Sequence, residues 1–350
     1  MTSKDKEKIT QIEQTIFEIK DSILPSDKRI YFPNWDNSPP EQESIIKFNG
    51  THLLSKGGLM CLCAKAGVGK SSLTEAFVSS HLNDKSDSLA VKVYLNPKRN
   101  KVLICDTERS AWESHKAWFK LMKRAKIKKG SNIDKKVIFA NLKALSVDEK
   151  KDFVKNIMEE NNDIGLIIFD GSSDFIYNTN DQVESNKFIE WLNTFNPNIA
   201  LICTIHTNPN DNKPRGHLGS ELLRKCESVL LAKKEGELYT LTTDFEDYGK
   251  NRHGKHQSVN YKYSDEEDMF IVTDEKPTKT KPIVNEKYKQ MANDIFGENE
   301  HLKFGEIVNS IAKITSKEYD KSKSIFFDNF KNKICEKVEI NDTPFWKIIR

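Results

Sequence analysis

The chain has 350 residues, of which 31% are charged and 37% hydrophobic, and a formal net charge of +3. That length accommodates one large domain and a small one. A charge so near balance excludes a general polycation, so any contact with nucleic acid falls to a local patch. No apolar run approaches membrane-spanning length and the first six residues lack a signal-peptide core, so the expectation is a cytoplasmic protein without a membrane partner.

Residues 4–22 alternate charge with Ile9, Ile12, Ile16 and Ile19, close to a helical stripe, and Pro25, Pro33, Pro39 and Pro40 then break the chain into an extended arm. This N-terminal segment, 1–44, serves either to cover the chain's own core or to dock on a neighbouring subunit. The core begins near Ile45. An apolar stretch, 57–63, runs into Ala64-Lys65-Ala66-Gly67-Val68-Gly69-Lys70-Ser71-Ser72 and then a helix. Strand, tight loop and helix in this order wrap a phosphate with backbone N–H groups at the positive end of a helix dipole. Lys70 is placed to reach the β- and γ-phosphates and Ser71 to complete a Mg²⁺ shell. Ala66, Gly67, Val68, Gly69 and Ser72 form the rest of the cradle, and Ala64 stands where such loops usually begin with glycine.

After a polar, turn-rich stretch (83–100), a buried strand within 101–110 ends in the acidic cluster Asp106-Thr107-Glu108. A basic amphipathic helix follows. Its Trp112, Trp118, Phe119 and Met122 are read as core-facing, the alternative being a basic, aromatic nucleic-acid surface. A short strand (137–140) and a helix (148–161) lead to Ile167-Ile168-Phe169-Asp170, four residues that place a carboxylate at the end of a central strand, where it holds a Mg²⁺ shell. A helix (183–195) precedes the strand 199–206, which ends in His206. Cys61, Cys63, Cys105 and Cys203 fall inside predicted strands as small hydrophobes, and no second Cys/His pair gives Cys61 and Cys63 a zinc partner. Four close-spaced strands, 228–232, 237–243, 258–263 and 269–273, read as an antiparallel extension of the sheet.

Residues 274–285 read as a linker. Beyond it, two or three helical patterns and a terminal hairpin point either to a winged helix-turn-helix or to a helical cap on the core. From residue 276 onward there are 15 Lys+Arg against 11 Asp+Glu, a surplus of 4 that leaves −1 on the rest of the chain. Lys317, Lys321 and Lys323 are the DNA-facing candidates there.

Hydrolysis of a nucleotide needs a group that orients water and a cation near the γ-phosphoryl group. Glu108 fits the first, since its strand lies in sequence between the phosphate loop and Asp170. Asp106 sits two residues back and deeper. His206, at the end of the strand after Asp170, is placed to sense the γ-phosphate, and the polar loop beside it to pass movement on.

Together with Lys250-Asn251-Arg252 and His206-Thr207-Asn208, these motifs make residues 45–273 resemble the RecA-like P-loop ATPase core. Within that group the similarity is to RepA- and DnaB-type hexameric helicases and the RepA-like AAA ATPases of mobile genetic elements. The resemblance implies an α/β fold with a mostly parallel sheet flanked by helices, ATP with Mg²⁺ as cofactors, and a homo-oligomeric ring, a hexamer. It implies that Glu108 activates water. It also implies that Lys250 and Arg252 reach into a neighbouring subunit's site, and their Lys-x-Arg spacing puts them on one face of a strand. The loop between His206 and Gly216 corresponds to one facing the ring's central hole, where single-stranded DNA passes, with Lys213 and Arg215 as its cations. Two features depart from the helicase pattern: no large domain precedes the core, and those two cations stand alone in the loop. The resulting expectation is an ATP-hydrolysing motor on DNA. An ATP-dependent switch or loader that does not unwind is the alternative, and a regulator working through its C-terminal module is a third.

Overall fold

Strands that are apolar on both faces need a layer on each side, and the computed structural model builds that sandwich. It describes residues 41–350 apart from 196, 209–211, 244–249, 255–257, 277–285, 342 and 350. The expected N-terminal helix, the arm up to residue 40 and most of the linker lie outside those residues.

In chain order the first strands are β1 (Ser44–Phe48), β2 (Thr51–Ser55) and β3 (Leu59–Ala64), followed by helix α1 (Lys70–Leu82) and β4 (Val91–Val93). Then come β5 (Lys101–Asp106), α2 (Ala111–Arg124), β6 (Val137–Asn141), α3 (Val147–Glu160), β7 (Ile164–Asp170), α4 (Gln182–Asn193), β8 (Ala200–His206) and α5 (Gly216–Lys225). Five strands complete the core: β9 (Ser228–Glu235), β10 (Leu238–Thr242), β11 (Lys250–Asn251), β12 (Ser258–Ser264) and β13 (Met269–Val272).

The main sheet has the order β13-β12-β10-β9-β3-β8-β7-β5-β6, with β11 on β9. Its strands are parallel from β6 to β9 and antiparallel from β9 to β13. Alternation sorts the side chains. Met60, Leu62, Val102, Ile104, Leu166 and Ile168 face one layer with Leu73, Phe77 and Leu121. Cys61, Cys63, Leu103, Cys105, Ile167 and Phe169 face the other with Val154, Phe188, Leu192 and Leu222. Helices α1 and α2 therefore cover one face and α3, α4 and α5 the other, the arrangement parallel sheets require. Two capping boxes set helix starts: Ser110 with Glu113 on α2 and Ser146 with Glu149 on α3.

Two expectations need correction, and one sheet was not expected at all. Strand β9 pairs in parallel with β3, so only β10, β12 and β13 are the antiparallel extension. The cause is α5, a crossover that carries the chain from β8 over β3 to its far side. A separate sheet, β2-β1-β4, escaped notice although Asn49-Gly50, both at positive φ, marks its hairpin. Trp112 and Phe119 are 69% and 61% exposed, not core-facing. The buried stripe of α2 is Ser114, Ala117, Leu121, Met122 and Arg124, and Trp112 and Phe119 fall off it. Met122 is buried and Trp118 packs against the core as expected. The basic residues of α2 tie down the extension: Arg124 donates to the carbonyls of Asp87 (2.6 Å) and Phe270 (2.8 Å), Lys120 to Asp268 (3.1 Å), and Lys123 to the Glu267 carbonyl (2.8 Å).

The C-terminal residues hold helices α6 (Glu286–Phe296), α7 (Phe304–Thr315) and α8 (Tyr319–Ile325), the last continued by a π turn, and the hairpin of β14 (Cys335–Ile340) and β15 (Thr343–Ile348). They have a core of their own around Phe296, Ile307, Ile311, Phe326, Phe330 and Trp346. Leu302, between α6 and α7, bridges to Trp346 of β15. The element order here is helix, isolated bridge, helix, helix, hairpin. Among the described residues no helix is long and apolar enough to cross a membrane.

Candidate functional site

The site stands where β3, β5, β7 and β8 end. In the parallel sheet all their carboxyl ends share one edge, and β8 lies between β3 and β7, which splays the loops after those strands and opens a crevice. That crevice is a cavity of about 390 Å³ lined by Gly67, Gly69, Lys70, Ser71, Ser72, Glu75, Glu108, Arg109 and His206, with Glu113, Lys116, Ala117 and Lys120 of α2.

The phosphate loop enters α1 through Gly67 and Gly69 at φ +77° and +82°. At Gly69 a side chain is also blocked by space, since a Cβ there would come within 2.9 Å of Phe270. Phe270 belongs to β13 and packs edge-on against Tyr239 and Tyr261, so the antiparallel extension backs the loop with an aromatic block.

Lys70 is buried, and its Nζ lies 2.8 Å from His206 Nδ1. A lysine ammonium only donates, so Nδ1 accepts and Nε2 carries the imidazole proton. Nε2 faces Glu108 Oε1 at 3.4 Å. Lys70, His206 and Glu108 thus form one donor-to-acceptor chain across the crevice. Burial lowers the pKa of Lys70. The hydrogen bond from His206 holds Glu108 below the usual carboxylate range, with Lys70 and Arg109 adding to it against the effect of burial.

Asp170 is 1% exposed at the end of β7. Its Oδ1 accepts from Thr204 Oγ1 at 3.1 Å, and the Ser71 side chain stands near enough to help hold its pKa down. Burial raises its pKa, against the pull of Arg109 and Ser71. The nearness of Ser71 to Asp170 fits a Mg²⁺ shell, which takes few protein ligands, all oxygen, plus water and phosphate. Asp106 is fully buried and accepts from the Glu108 and Arg109 N–H groups (3.2 Å each) and from Ser114 Oγ (2.7 Å), so it shapes the turn that presents Glu108.

Sequence reasoning missed Arg109 and Glu75. Arg109 Nη2 lies 2.8 Å from Glu75 and 3.4 Å from Asp170, and Nη1 lies 3.6 Å from Asp106. Burial depresses the Arg109 pKa, and the three carboxylates outweigh it and raise it. Its Nη1 is buried without a hydrogen-bond partner, 3.6 Å from the Asp106 carboxylate. Glu75, on the second turn of α1, is pushed up to about 7 by burial, which Arg109 only partly offsets. The available signal was adjacency: Arg109 follows Glu108, and Glu75 follows Lys70 by five residues.

The remaining candidates are not in the crevice. Thr207 bridges to Pro214, and the Arg215 N–H reaches the His206 carbonyl at 2.9 Å, so the loop carrying exposed Lys213 and Arg215 is closed at its base on His206. Lys317, Lys321 and Lys323 are exposed on and just before α8. β11 holds only Lys250 and Asn251, and Arg252 lies in the following turn, so the shared strand face expected for Lys250 and Arg252 is not formed. Lys250 Nζ instead donates to the Leu223 (2.6 Å) and Arg224 (2.9 Å) carbonyls at the end of α5. Register places this segment at the strand starts. Asn251 pairs with Ser228 and Ser228 with Met60, four residues back from Ala64, where the phosphate loop leaves β3.

The core is an α/β fold with a mostly parallel sheet flanked by helices, an architecture consistent with a RecA-like fold. Parallel strand order, the phosphate loop after β3 and the aspartate two strands away carry that assignment. No protein-family profile and no curated protein matches the chain. Among solved structures, a KaiC-like protein from the hyperthermophilic archaeon Pyrococcus horikoshii OT3 is similar at 11% identity and TM-score 0.45, over 67% of this chain and 100% of that one.

Proposed function

We propose that this protein is an ATP-hydrolysing motor that acts on DNA as a homo-oligomeric ring, of the RepA/DnaB helicase or translocase kind. The observation that carries the hydrolytic part is the chain Lys70–His206–Glu108 in the crevice at a phosphate loop that Ser71 also lines, with buried Asp170 behind it. Lys70 and the N–H groups of residues 66–72 hold the phosphates, and Lys70 exchanges His206 for phosphate oxygen when nucleotide enters. Ser71 and Asp170 would hold Mg²⁺, which would supply charge neutralisation at the phosphoryl oxygens. Glu108 is kept ionised, as orientation of an attacking water requires.

The position of Arg252 supports a ring. It lies at the opposite sheet edge from its own phosphate loop, so a contribution to γ-phosphate chemistry is made to another subunit's site. Lys250 anchors the segment that presents it. The loop closed on His206 supports transmission from the γ-phosphate to Lys213 and Arg215 and so to single-stranded DNA. The element order of residues 286–350 supports a winged helix-turn-helix with α8, carrying Lys321 and Lys323, as its DNA-facing helix. One observation favours a second reading, an ATP-dependent switch or loader: residues 207–216 hold no cation besides Lys213 and Arg215.

ATP hydrolysis is measured with and without single-stranded DNA, together with opening of a forked duplex and sizing with a non-hydrolysable nucleotide. A motor gives DNA-stimulated hydrolysis, a nucleotide-dependent ring and strand opening. A ring that binds DNA and leaves the fork closed selects the switch or loader. Absence of hydrolysis under all conditions overturns both.

A further inference from the structure

At the sheet edge opposite the phosphate loop, three side chains from distant parts of the chain meet. His52 comes from β2, Glu227 from the single residue pair joining α5 to β9, and His253 from the turn after β11. One donor atom from each lies within 4.8 Å of the other two. We propose that His52, Glu227 and His253 bind a first-row transition-metal ion of the zinc type, at a site separate from the nucleotide crevice.

The site is built around Glu227, which is 8% exposed. The Ser55 N–H reaches both its carboxylate oxygens at 3.1 Å, and the Ser55 hydroxyl donates to Oε1 at 2.6 Å. The Glu227 N–H is held by the Leu59 carbonyl at 2.8 Å. Its carboxylate packs so tightly on Gly58 that a Cβ there would lie 2.2 Å from Oε2. Outer-shell donors of this kind fix a ligating carboxylate before any ion arrives. The two imidazoles stack at 3.9 Å, 9° from parallel, and both present Nε2 to the same oxygen: His52 at 3.5 Å, His253 in direct contact. His52 Nε2 also lies 3.0 Å from Ser55 Oγ.

The donor set decides the ion. Two imidazole nitrogens and one carboxylate oxygen are the donor set of zinc and its neighbours in three-ligand sites, where water or substrate takes the fourth position. Magnesium and calcium prefer oxygen-only shells. The histidine side chains are 20% and 28% exposed, which leaves the open position and an entry path on the solvent side. Metal binding has a structural consequence as well. The Arg252 N–H points at the Glu227 carbonyl at 3.4 Å, so an ion held by Glu227 and His253 pins the segment on both sides of Arg252.

The test uses the full-length chain, stripped with a chelator and kept free of nucleotide. Co²⁺ is titrated in while the visible ligand-field absorption is followed, and Zn²⁺ then displaces it. The expected result is about one Co²⁺ per chain with the intense absorption of a four- or five-coordinate nitrogen–oxygen site. His253→Ala and His52→Ala each weaken binding by about a hundredfold, and His217→Ala, an exposed histidine outside the cluster, leaves it unchanged. Thermal unfolding is the independent readout. Zn²⁺ raises the Tm of the wild-type protein where equal Mg²⁺ does not, and His253→Ala removes the rise. Failure to bind Co²⁺ or Zn²⁺ overturns the proposal, as does binding that persists at wild-type affinity in His253→Ala.

Discussion

Lys70 and Glu108 touch the two nitrogens of one imidazole, yet their substitution separates two steps. In the proposed mechanism Lys70 contacts phosphates in the ground state, whereas Glu108 acts on the attacking water. Lys70→Ala is expected to abolish nucleotide binding, and Glu108→Gln to leave binding intact while turnover falls by a hundredfold or more, on the order of a general-base contribution. Equilibrium binding of a fluorescent nucleotide and steady-state hydrolysis distinguish them, and wild-type turnover in Glu108→Gln removes it from the role. Glu75 makes a prediction about stability. Its pKa in the folded chain, about 7, exceeds the ordinary 4.5, so the folded state binds the proton more tightly than the unfolded state. The associated stabilisation is full below about pH 4.5 and is lost as pH rises through 7, on the order of 3 kcal/mol for a shift of this size. Glu75→Gln keeps an acceptor for Arg109 and abolishes that titration. Denaturant unfolding at pH 5 and pH 8 should therefore show a smaller loss of stability in Glu75→Gln than in wild type.

At the level of elements, α2 and the C-terminal module have exchanged the roles their compositions suggest. The lysines and arginine of α2 hold the antiparallel extension through Asp268, Glu267, Asp87 and Phe270, whereas Lys317, Lys321 and Lys323 stand exposed. Because residues 286–350 have their own core and supply none of the crevice lining, removing them should leave basal ATP hydrolysis within about twofold and weaken DNA binding. The truncated chain should also show a shallower dependence of log K on log salt, as lysine–phosphate contacts are lost. Fluorescence anisotropy with a labelled oligonucleotide at several salt concentrations measures both. Unchanged affinity assigns the module to a structural cap.

For the whole molecule the question is whether one chain makes a complete site. Arg252 is at the wrong sheet edge for its own crevice, so the ring reading requires it to act in trans. An arginine stabilising the γ-phosphoryl transition state contributes on the order of 10³-fold in related sites. Arg252→Ala should spare nucleotide binding and cut hydrolysis steeply. Mixed with Glu108→Gln, it should recover measurable activity, since some interfaces then pair an intact Glu108 with an intact Arg252. Co-purification of differently tagged copies verifies that subunits exchange. If they mix and hydrolysis stays at background, the trans role fails.

Features set by neighbours in the chain were legible from the sequence alone. The phosphate loop and its helix, the alternating strands that end at Asp170 and His206, the buried cysteines and the terminal hairpin all follow from local pattern, because periodicity and turn chemistry act over a few residues. Tertiary structure decided what depends on pairing across long loops. The crossover through α5 made β9 parallel to β3, and β1, β2 and β4 joined into a sheet from segments that looked unremarkable. The same closure set Arg109 among Glu75, Asp106 and Asp170, and brought His52 and His253 to Glu227 across about 200 residues of chain. No spacing rule predicts such meetings. Their cost is loop-closure entropy, which grows only slowly with length and is offset by the burial of the sheet's two faces, so separation in sequence carries little information about separation in space.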